Sequence, residues 1–281
     1  MDMIVDCGST KCRWTVIGPG IRRAFDSPGF NPALLDTPEI ESTFADRVPQ
    51  GLESMMFEQV WIYAAGCRSE REENALRAAA QKLWRNAAVT AASDVLGAAR
   101  AVCGTDSGIA CILGTGSNCA IYSPKHGLVR STPPLGFILG DEGSGADIGK
   151  ALVNHVLKRR WNSELVSDFL DSQQLTADII INKVYLCPEP NRFLASLTHW
   201  AADNIHRPEV DHLVVERFQA FIARNIRTLS PPRHLKAGFV GSVAKIFEPQ
   251  LRAAAEKESL PVGKIEKSPE NGLIAFHCHK T

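Results

Sequence analysis

The sequence predicts an α/β protein in two halves, and three observations carry that expectation. Strand-like runs alternate with helix-like runs through the first third of the chain. A polar break, Gly104-Thr105-Asp106-Ser107-Gly108, separates two stretches that each begin with a strand. A glycine- and hydroxyl-rich turn between two strands heads each stretch, as Gly8-Ser9-Thr10-Lys11-Cys12 and again as Gly114-Thr115-Gly116-Ser117-Asn118-Cys119. The expected domains are residues 1–105 and 106–281.

In order along the chain, Met3-Ile4-Val5 and Arg13-Trp14-Thr15-Val16-Ile17 read as strands around a turn at Asp6–Thr10. Gly18-Pro19-Gly20 closes the second, and a short third strand follows near Arg22–Phe25. Glu58–Ala65 is rich in β-formers. Ser69 then caps a helix to Leu83, with Glu72 in the capping-box position. Ala87–Ala91 is a further strand, and Ser93-Asp94 opens a helix to about Cys103. Ile109–Leu113 and Cys119–Tyr122 form the second strand pair. From Ser144 to about Phe247 the pattern is helical apart from a strand at Ala237–Val240.

With 281 residues the chain can bury two cores. Its 31 basic and 31 acidic residues cancel, which removes the footprint of a nucleic-acid binder and any pull toward an anionic membrane. No apolar run is long enough to span a bilayer. The opening residues include Asp2 and Asp6 and no basic segment before an apolar one, so a cytoplasmic protein is expected. The eight cysteines include no Cys-x-x-Cys pair and are expected as reduced thiols. The tail His277-Cys278-His279 would point its side chains alternately on an extended segment, so no metal is expected there.

Several segments carry chemistry. Glycines let the backbone approach a bulky anion, and consecutive N–H groups form a concave anion site. Ser9, Thr10 and Thr115 add hydroxyls, and Lys11 adds a charge suited to phosphate. Each turn taken alone is equally a plain hairpin turn. Asp6, beside the first turn, suits Mg²⁺ or stabilises its own turn. Asp94 at a helix start is either an N-cap or a base accepting a hydroxyl proton in phosphoryl transfer. In Gly140-Asp141-Glu142-Gly143-Ser144, Asp141 either leads into a helix or accepts hydrogen bonds from sugar hydroxyls. Gly241-Ser242-Val243 reads first as an ordinary strand-to-helix turn, and a glycine there also lets a flat ring lie on the backbone.

In this order the segments resemble the N-acetylglucosamine kinase and BadF-type ATPase family, in the sugar-kinase branch of the actin, Hsp70 and hexokinase superfamily. Asp6–Lys11 is similar to the first phosphate motif and Leu113–Cys119 to the second. Gly140–Ser144 is similar to the acidic sugar-site loop and Val240–Val243 to the adenosine segment. Ala92-Ser93-Asp94 aligns with the segment holding the catalytic aspartate, and Gly29-Phe30-Asn31-Pro32 with an early sugar-contacting turn. Cys7 departs from the usual glycine, and Pro134-Leu135-Gly136 stands where close relatives have Gly-Trp-Gly.

The resemblance implies two ribonuclease-H-like, actin-like ATPase lobes with the active site in the cleft between them, and a helical insertion in the second. It implies ATP and Mg²⁺ as cofactors and a small sugar as substrate, with no nucleic-acid or membrane partner; a homodimer is compatible with it. Asp94 would be the base toward the 6-hydroxyl of an amino sugar, N-acetylglucosamine or glucosamine. Asn31, Asn118, Gly136 and Asp141 would meet the sugar, and Asp6 would act through Mg²⁺. Gly8, Ser9, Thr10, Lys11, Gly114, Thr115 and Gly116 would hold phosphates, with Gly241 and Ser242 at the adenosine. Beside this reading stand a pantothenate-kinase-like activity, against which the sugar-site loop argues, and two further rivals. One is an iron–sulfur ATPase activator of a dehydratase or reductase, for which Cys103, Cys111 and Cys119 would have to supply ligands. The other is a non-enzymatic ATP- or sugar-binding protein.

Overall fold

The computed structural model describes residues 1–278, and among these the strands form two mixed five-stranded sheets. β1 (Asp2–Cys7), β2 (Lys11–Gly18), β3 (Ile21–Pro28), β4 (Gln59–Ala64) and β5 (Ala88–Ser93) lie in the order β3-β2-β1-β4-β5. β6 (Gly108–Leu113), β7 (Ser117–Ser123), β8 (Gly127–Ser131), β9 (Ala237–Val240) and β10 (Val262–Glu266) lie in the order β10-β9-β6-β7-β8. Both sheets follow one plan. An antiparallel meander comes first, and two parallel strands then extend the sheet from the meander's first strand.

Burial follows that plan. Met3, Ile4 and Val5 of the central β1 are at most 2% exposed, as a strand covered on both faces requires. The edge strand β3 is largely exposed and carries Arg22 and Arg23, charges that discourage further strand pairing. β8 and β10 are short and β8 is mostly exposed, so neither shows the alternation by which a strand is read from sequence.

The helices start where capping chemistry allows. α1 (Thr37–Arg47), which the sequence reading passes over, opens with a complete capping box between Asp36 and Glu39. α2 (Glu70–Leu83) opens with the expected Ser69–Glu72 box. α3 (Asp94–Cys103) is capped by the Ser93 hydroxyl, which accepts from the Leu96 N–H at 3.3 Å. α4 (Gly136–Leu139) is a single turn, and α5 (Gly145–Leu157) is capped by Ser144. Helices then dominate up to β9. Among the described residues, no helix is long and apolar enough to cross a membrane.

The chain divides into one unit of residues 1–105 plus the segment from Pro269 onward, and a second of residues 106–268. The first packs around Trp14, Phe44 and Trp84, whose rings meet in tilted and edge-on contacts. The second packs around Phe169, Trp200, Phe218 and Phe239. The expected second domain, 106–281, is therefore corrected at its end. The helix Glu270–Cys278 places Leu273 and His277 one turn apart, and Leu273 packs with Ile4, Tyr63 and Ala101 of the first unit. His277 is buried under the Trp61 ring at 3.8 Å and lies 2.8 Å from the Tyr63 hydroxyl. Of the His277-Cys278-His279 tail, His277 and Cys278 lie in this helix rather than on an extended segment, and His279 lies outside the described residues.

The cysteines need one correction as well. Cys7 and Cys12 stand opposite each other in the β1–β2 register, Cα atoms 4.0 Å apart, and are joined as a disulfide rather than left as thiols. Both side chains point to the same face of a tight hairpin, which brings the sulfurs together. Cys67, Cys103, Cys111, Cys119, Cys187 and Cys278 are free of disulfides.

Candidate functional site

In the first unit, β1 delivers Asp6 to the base of the Gly8–Lys11 turn, where the Gly8 N–H donates to the Lys11 carbonyl at 2.9 Å. Burial, followed by the nearby Asp94 and Glu270 carboxylates, pushes the Asp6 pKa up to about 7 against the opposing pull of Arg13. A carboxylate under that pressure fits a divalent cation, which relieves both the desolvation and the repulsion. Among the described residues no cluster of three or more His, Cys, Asp or Glu side chains could hold a metal. A Mg²⁺ ion takes one or two carboxylates and draws its other ligands from water and phosphate, and Asp6 is the residue here that could serve it. Ser9, Thr10 and Lys11 are exposed at the turn, and Lys11 Nζ pairs with Asp26 at 2.9 Å.

Asp94 is the first residue of α3, and Ser93 has already taken the cap. The N-cap explanation of Asp94 therefore fails. Its Oδ1 accepts from the Val95 N–H at 2.9 Å, which orients the carboxylate. Burial raises its pKa to about 6, opposed by the Val95 and Asp94 N–H groups and by Arg68. It is ionised at neutral pH yet poised to accept a proton. Asn31 caps the turn Pro32–Leu34 through Oδ1, which accepts from the Ala33 N–H at 3.0 Å. Its amide NH₂ remains as the group able to donate.

In the second unit, the Gly114 N–H donates to the Gly116 carbonyl at 3.0 Å. The Gly114 and Thr115 carbonyls accept from the first residues of α5, Gly145 and Ala146, at 2.8 and 3.1 Å. Among the described residues this leaves the Thr115 and Gly116 N–H groups and the Thr115 hydroxyl to face an anion. Asp141 lies against this turn in the left-handed region, φ 57°, and accepts from the Ser117 N–H at 3.3 Å. Burial raises its pKa, with that N–H opposing. Asn118 accepts at Oδ1 from the Cys119 N–H at 2.8 Å and from the Thr132 hydroxyl at 3.1 Å, so it too keeps an NH₂ to donate. Asp141 as acceptor and Asn118 as donor match a sugar hydroxyl, which both gives and receives a hydrogen bond.

Ser117, Thr132, Asp141, Glu142, Arg224, Asn225 and Thr228 give the polar lining of a cavity of about 100 Å³, and Leu135 and Leu139 also line it. The Ser117 hydroxyl is buried without a hydrogen-bond partner, an orphan that a ligand in the cavity would satisfy. Gly136, expected at the sugar, starts α4 with φ 75° and does not line this cavity; its neighbours Leu135 and Gly140 do. Gly241 has its own packing reason to be glycine, since a β-carbon there would stand 2.1 Å from the Leu113 carbonyl oxygen. It thereby sits beside Gly114, with Ser242 exposed at the start of the following short helix.

Arg224 and Asn225 escaped the sequence reading. They stand on a π-helical turn, Ile222–Ile226, and both hydrogen-bond Glu142, at 3.4 and 3.2 Å. Their distance from Glu142 in sequence hides the pairing. The cysteines required by the iron–sulfur rival do not suit it: Cys111 and Cys119 are fully buried, facing each other across β6 and β7 with sulfurs 3.8 Å apart.

No family model matches the chain. A candidate N-acetylglucosamine kinase of Porphyromonas gingivalis has a solved structure that is similar over 99% of both chains, with 36% identity and a TM-score of 0.91. A second candidate N-acetylglucosamine kinase, from Chromobacterium violaceum, matches 98% of both chains at 20% identity and a TM-score of 0.69, a likeness of fold. An N-acetylmuramic acid/N-acetylglucosamine kinase of Clostridium acetobutylicum is 38% identical over 96 residues, 32% of this chain and 31% of that relative's length.

Proposed function

The chain belongs to the N-acetylglucosamine kinase and BadF-type ATPase family, with the actin-like ATPase fold of sugar kinases, and we propose that it uses ATP and Mg²⁺ to make the 6-phosphate of an amino sugar, N-acetylglucosamine or glucosamine. The observation that carries this reading is the state of Asp94. Ser93 caps α3, so the half-buried Asp94 carboxylate is not the helix cap; the Val95 N–H orients it, and burial raises its pKa to about 6.

Asp94 takes the proton from the sugar 6-hydroxyl as that oxygen bonds to the γ-phosphorus of ATP. The bond from that phosphorus to the bridging oxygen breaks, and ADP leaves with the electron pair. Asn31, Asn118 and Asp141 orient the sugar, two as donors and one as acceptor. The Gly8–Lys11 and Gly114–Gly116 turns offer N–H and hydroxyl donors to phosphate oxygens, Lys11 adds charge, and Gly241-Ser242 backs the adenosine. A Mg²⁺ ion, when bound, offsets negative charge on the phosphates, and Asp6 is the residue that would hold it.

The test is ADP release from Mg-ATP with N-acetylglucosamine, glucosamine, N-acetylmannosamine, glucose, pantothenate or no acceptor. An amino-sugar-dependent rate well above the control is expected. Hydrolysis that no acceptor stimulates would overturn the kinase reading in favour of an ATPase.

A further inference from the structure

A buried tyrosine of the first unit has no task in the reaction described above, yet the helix that begins with Asp94 rests on it. Tyr63 of β4 is paired with Asp6 of β1 on one side and with Ala92 of β5 on the other. Side chains in register share a face of the sheet, so Tyr63 and Asp6 stand on the same one. α3 covers that face, where its Ala101 packs with Tyr63 and Ala92. Gly97 of α3, three residues after Asp94, touches the tyrosine ring. A β-carbon on Gly97 would lie 2.8 Å from Tyr63 Cγ and 2.9 Å from Cβ and Cδ1. Residues three apart lie on one face of a helix, so the contact at Gly97 sets how far Asp94 stands from the sheet.

The far end of the ring is held as well. Its hydroxyl accepts from Arg100 Nη1 at 2.7 Å and lies 2.8 Å from His277 Nε2. The Arg100 guanidinium stands 5.7 Å from the centre of the Tyr63 ring and 5.1 Å from that of Phe276. The His277 ring in turn stacks on Trp61 at 3.8 Å. Arg100 belongs to α3, so that helix meets the tyrosine at two points, and the helix Glu270–Cys278 supplies a third. A buried polar network with its members paired fixes one orientation of the side chains in it.

We propose that Tyr63 is a positioning residue for the base: its ring, held by Arg100 and His277, sets the height of α3 over the sheet and so the placement of the Asp94 carboxylate toward the sugar hydroxyl. This rests on the sugar-kinase reading, in which Asp94 takes the proton. A general base works only within hydrogen-bond reach of the proton it accepts, so a small shift at the start of α3 is felt in kcat. The Gly8–Lys11 turn belongs to the β1–β2 hairpin and not to α3, so ATP affinity is expected to hold.

The experiment is a double-mutant cycle on kcat, with N-acetylglucosamine or glucosamine as acceptor, whichever turns over faster. Gly97→Ala puts one methyl group between helix and ring. It should lower kcat about ten- to a hundredfold, the cost of a small misplacement of a reacting group, with ATP affinity by titration calorimetry retained. In Asp94→Asn, which has no base to place, the same substitution should lower kcat less than about threefold. A merely structural role costs the same factor in both backgrounds, and that result would overturn the proposal. So would a Gly97→Ala enzyme with the wild-type kcat. Tyr63→Leu should repeat the pattern of Gly97→Ala and carries the test if that variant does not fold. Tyr63→Phe keeps the ring under Gly97 and should recover most of the lost rate; a phenylalanine variant as slow as the leucine one would also overturn the proposal. These outcomes leave the base reading intact. A wild-type enzyme inactive on both sugars, or Asp94→Asn at near the wild-type rate, would overturn that reading and the proposal with it.

Discussion

The side-chain oxygen of Asn31 occupies the space a β-carbon on Gly66 would fill: that carbon would lie 1.8 Å from Oδ1. Gly66 also holds φ at +79°, where a side chain costs about 1–2 kcal/mol. Gly66→Ala should therefore lower Tm by a few degrees and displace the Asn31 amide. The expected kinetic effect is a several-fold rise in the sugar KM with the ATP KM unchanged. Equal rises in both would mean that Asn31 has no particular bond to the sugar.

Asp94→Asn removes the proton acceptor and keeps the shape. A fall in kcat of about a hundredfold or more is expected, with ATP affinity by titration calorimetry retained. Turnover near the wild-type rate would end the base assignment.

The same variant has a stability signature. Asp94 has its folded pKa raised to about 6, above that of an unfolded aspartate at about 3.9. The folded state thus binds the proton more tightly, and that stabilisation is complete below the unfolded value and lost as pH rises through about 6. Asparagine does not titrate, so Asp94→Asn should gain stability relative to wild type between pH 4 and pH 8 in urea unfolding. An unchanging difference across that range would mean the carboxylate is not desolvated.

For wild type, kcat/KM should fall on the acid side with an apparent pKa near 6, since protonated Asp94 cannot accept the sugar proton. Stopped-time ADP assays from pH 5 to 8 measure it. A rate independent of pH through that interval would place the rate-limiting proton transfer elsewhere.

Asp141→Asn keeps the size and the tolerance for left-handed backbone while removing the charge. It should raise the sugar KM about tenfold or more, the weight of a charged hydrogen bond, with little change in the ATP KM. Unchanged sugar affinity and turnover would reduce the acidic loop to a helix lead-in.

What could be read from the sequence was local. The two glycine turns, the Ser69–Glu72 box and the apolar strand Met3-Ile4-Val5 each declare themselves within a few residues. α1 was legible by the same rule, for Asp36 and Glu39 stand at capping-box spacing. β8 was not, because an exposed edge strand has no buried face to alternate against. The Arg224–Glu142 contact joins residues 82 apart in sequence, and the π turn that makes it has no composition of its own. The disulfide between Cys7 and Cys12 depended on register, which fixes a pair only once the hairpin is formed.

The helix Glu270–Cys278 completes the first unit although it follows the whole of the second. Translation is vectorial, so the patch around Ile4, Tyr63 and Ala101 that receives Leu273 stays uncovered while residues 106–268 emerge from the ribosome. The second unit can therefore mature before the first. Throughout that interval the nascent chain displays an apolar surface of the kind chaperones bind. A stall or premature stop after residue 268 would leave a finished second unit attached to a first unit that cannot close.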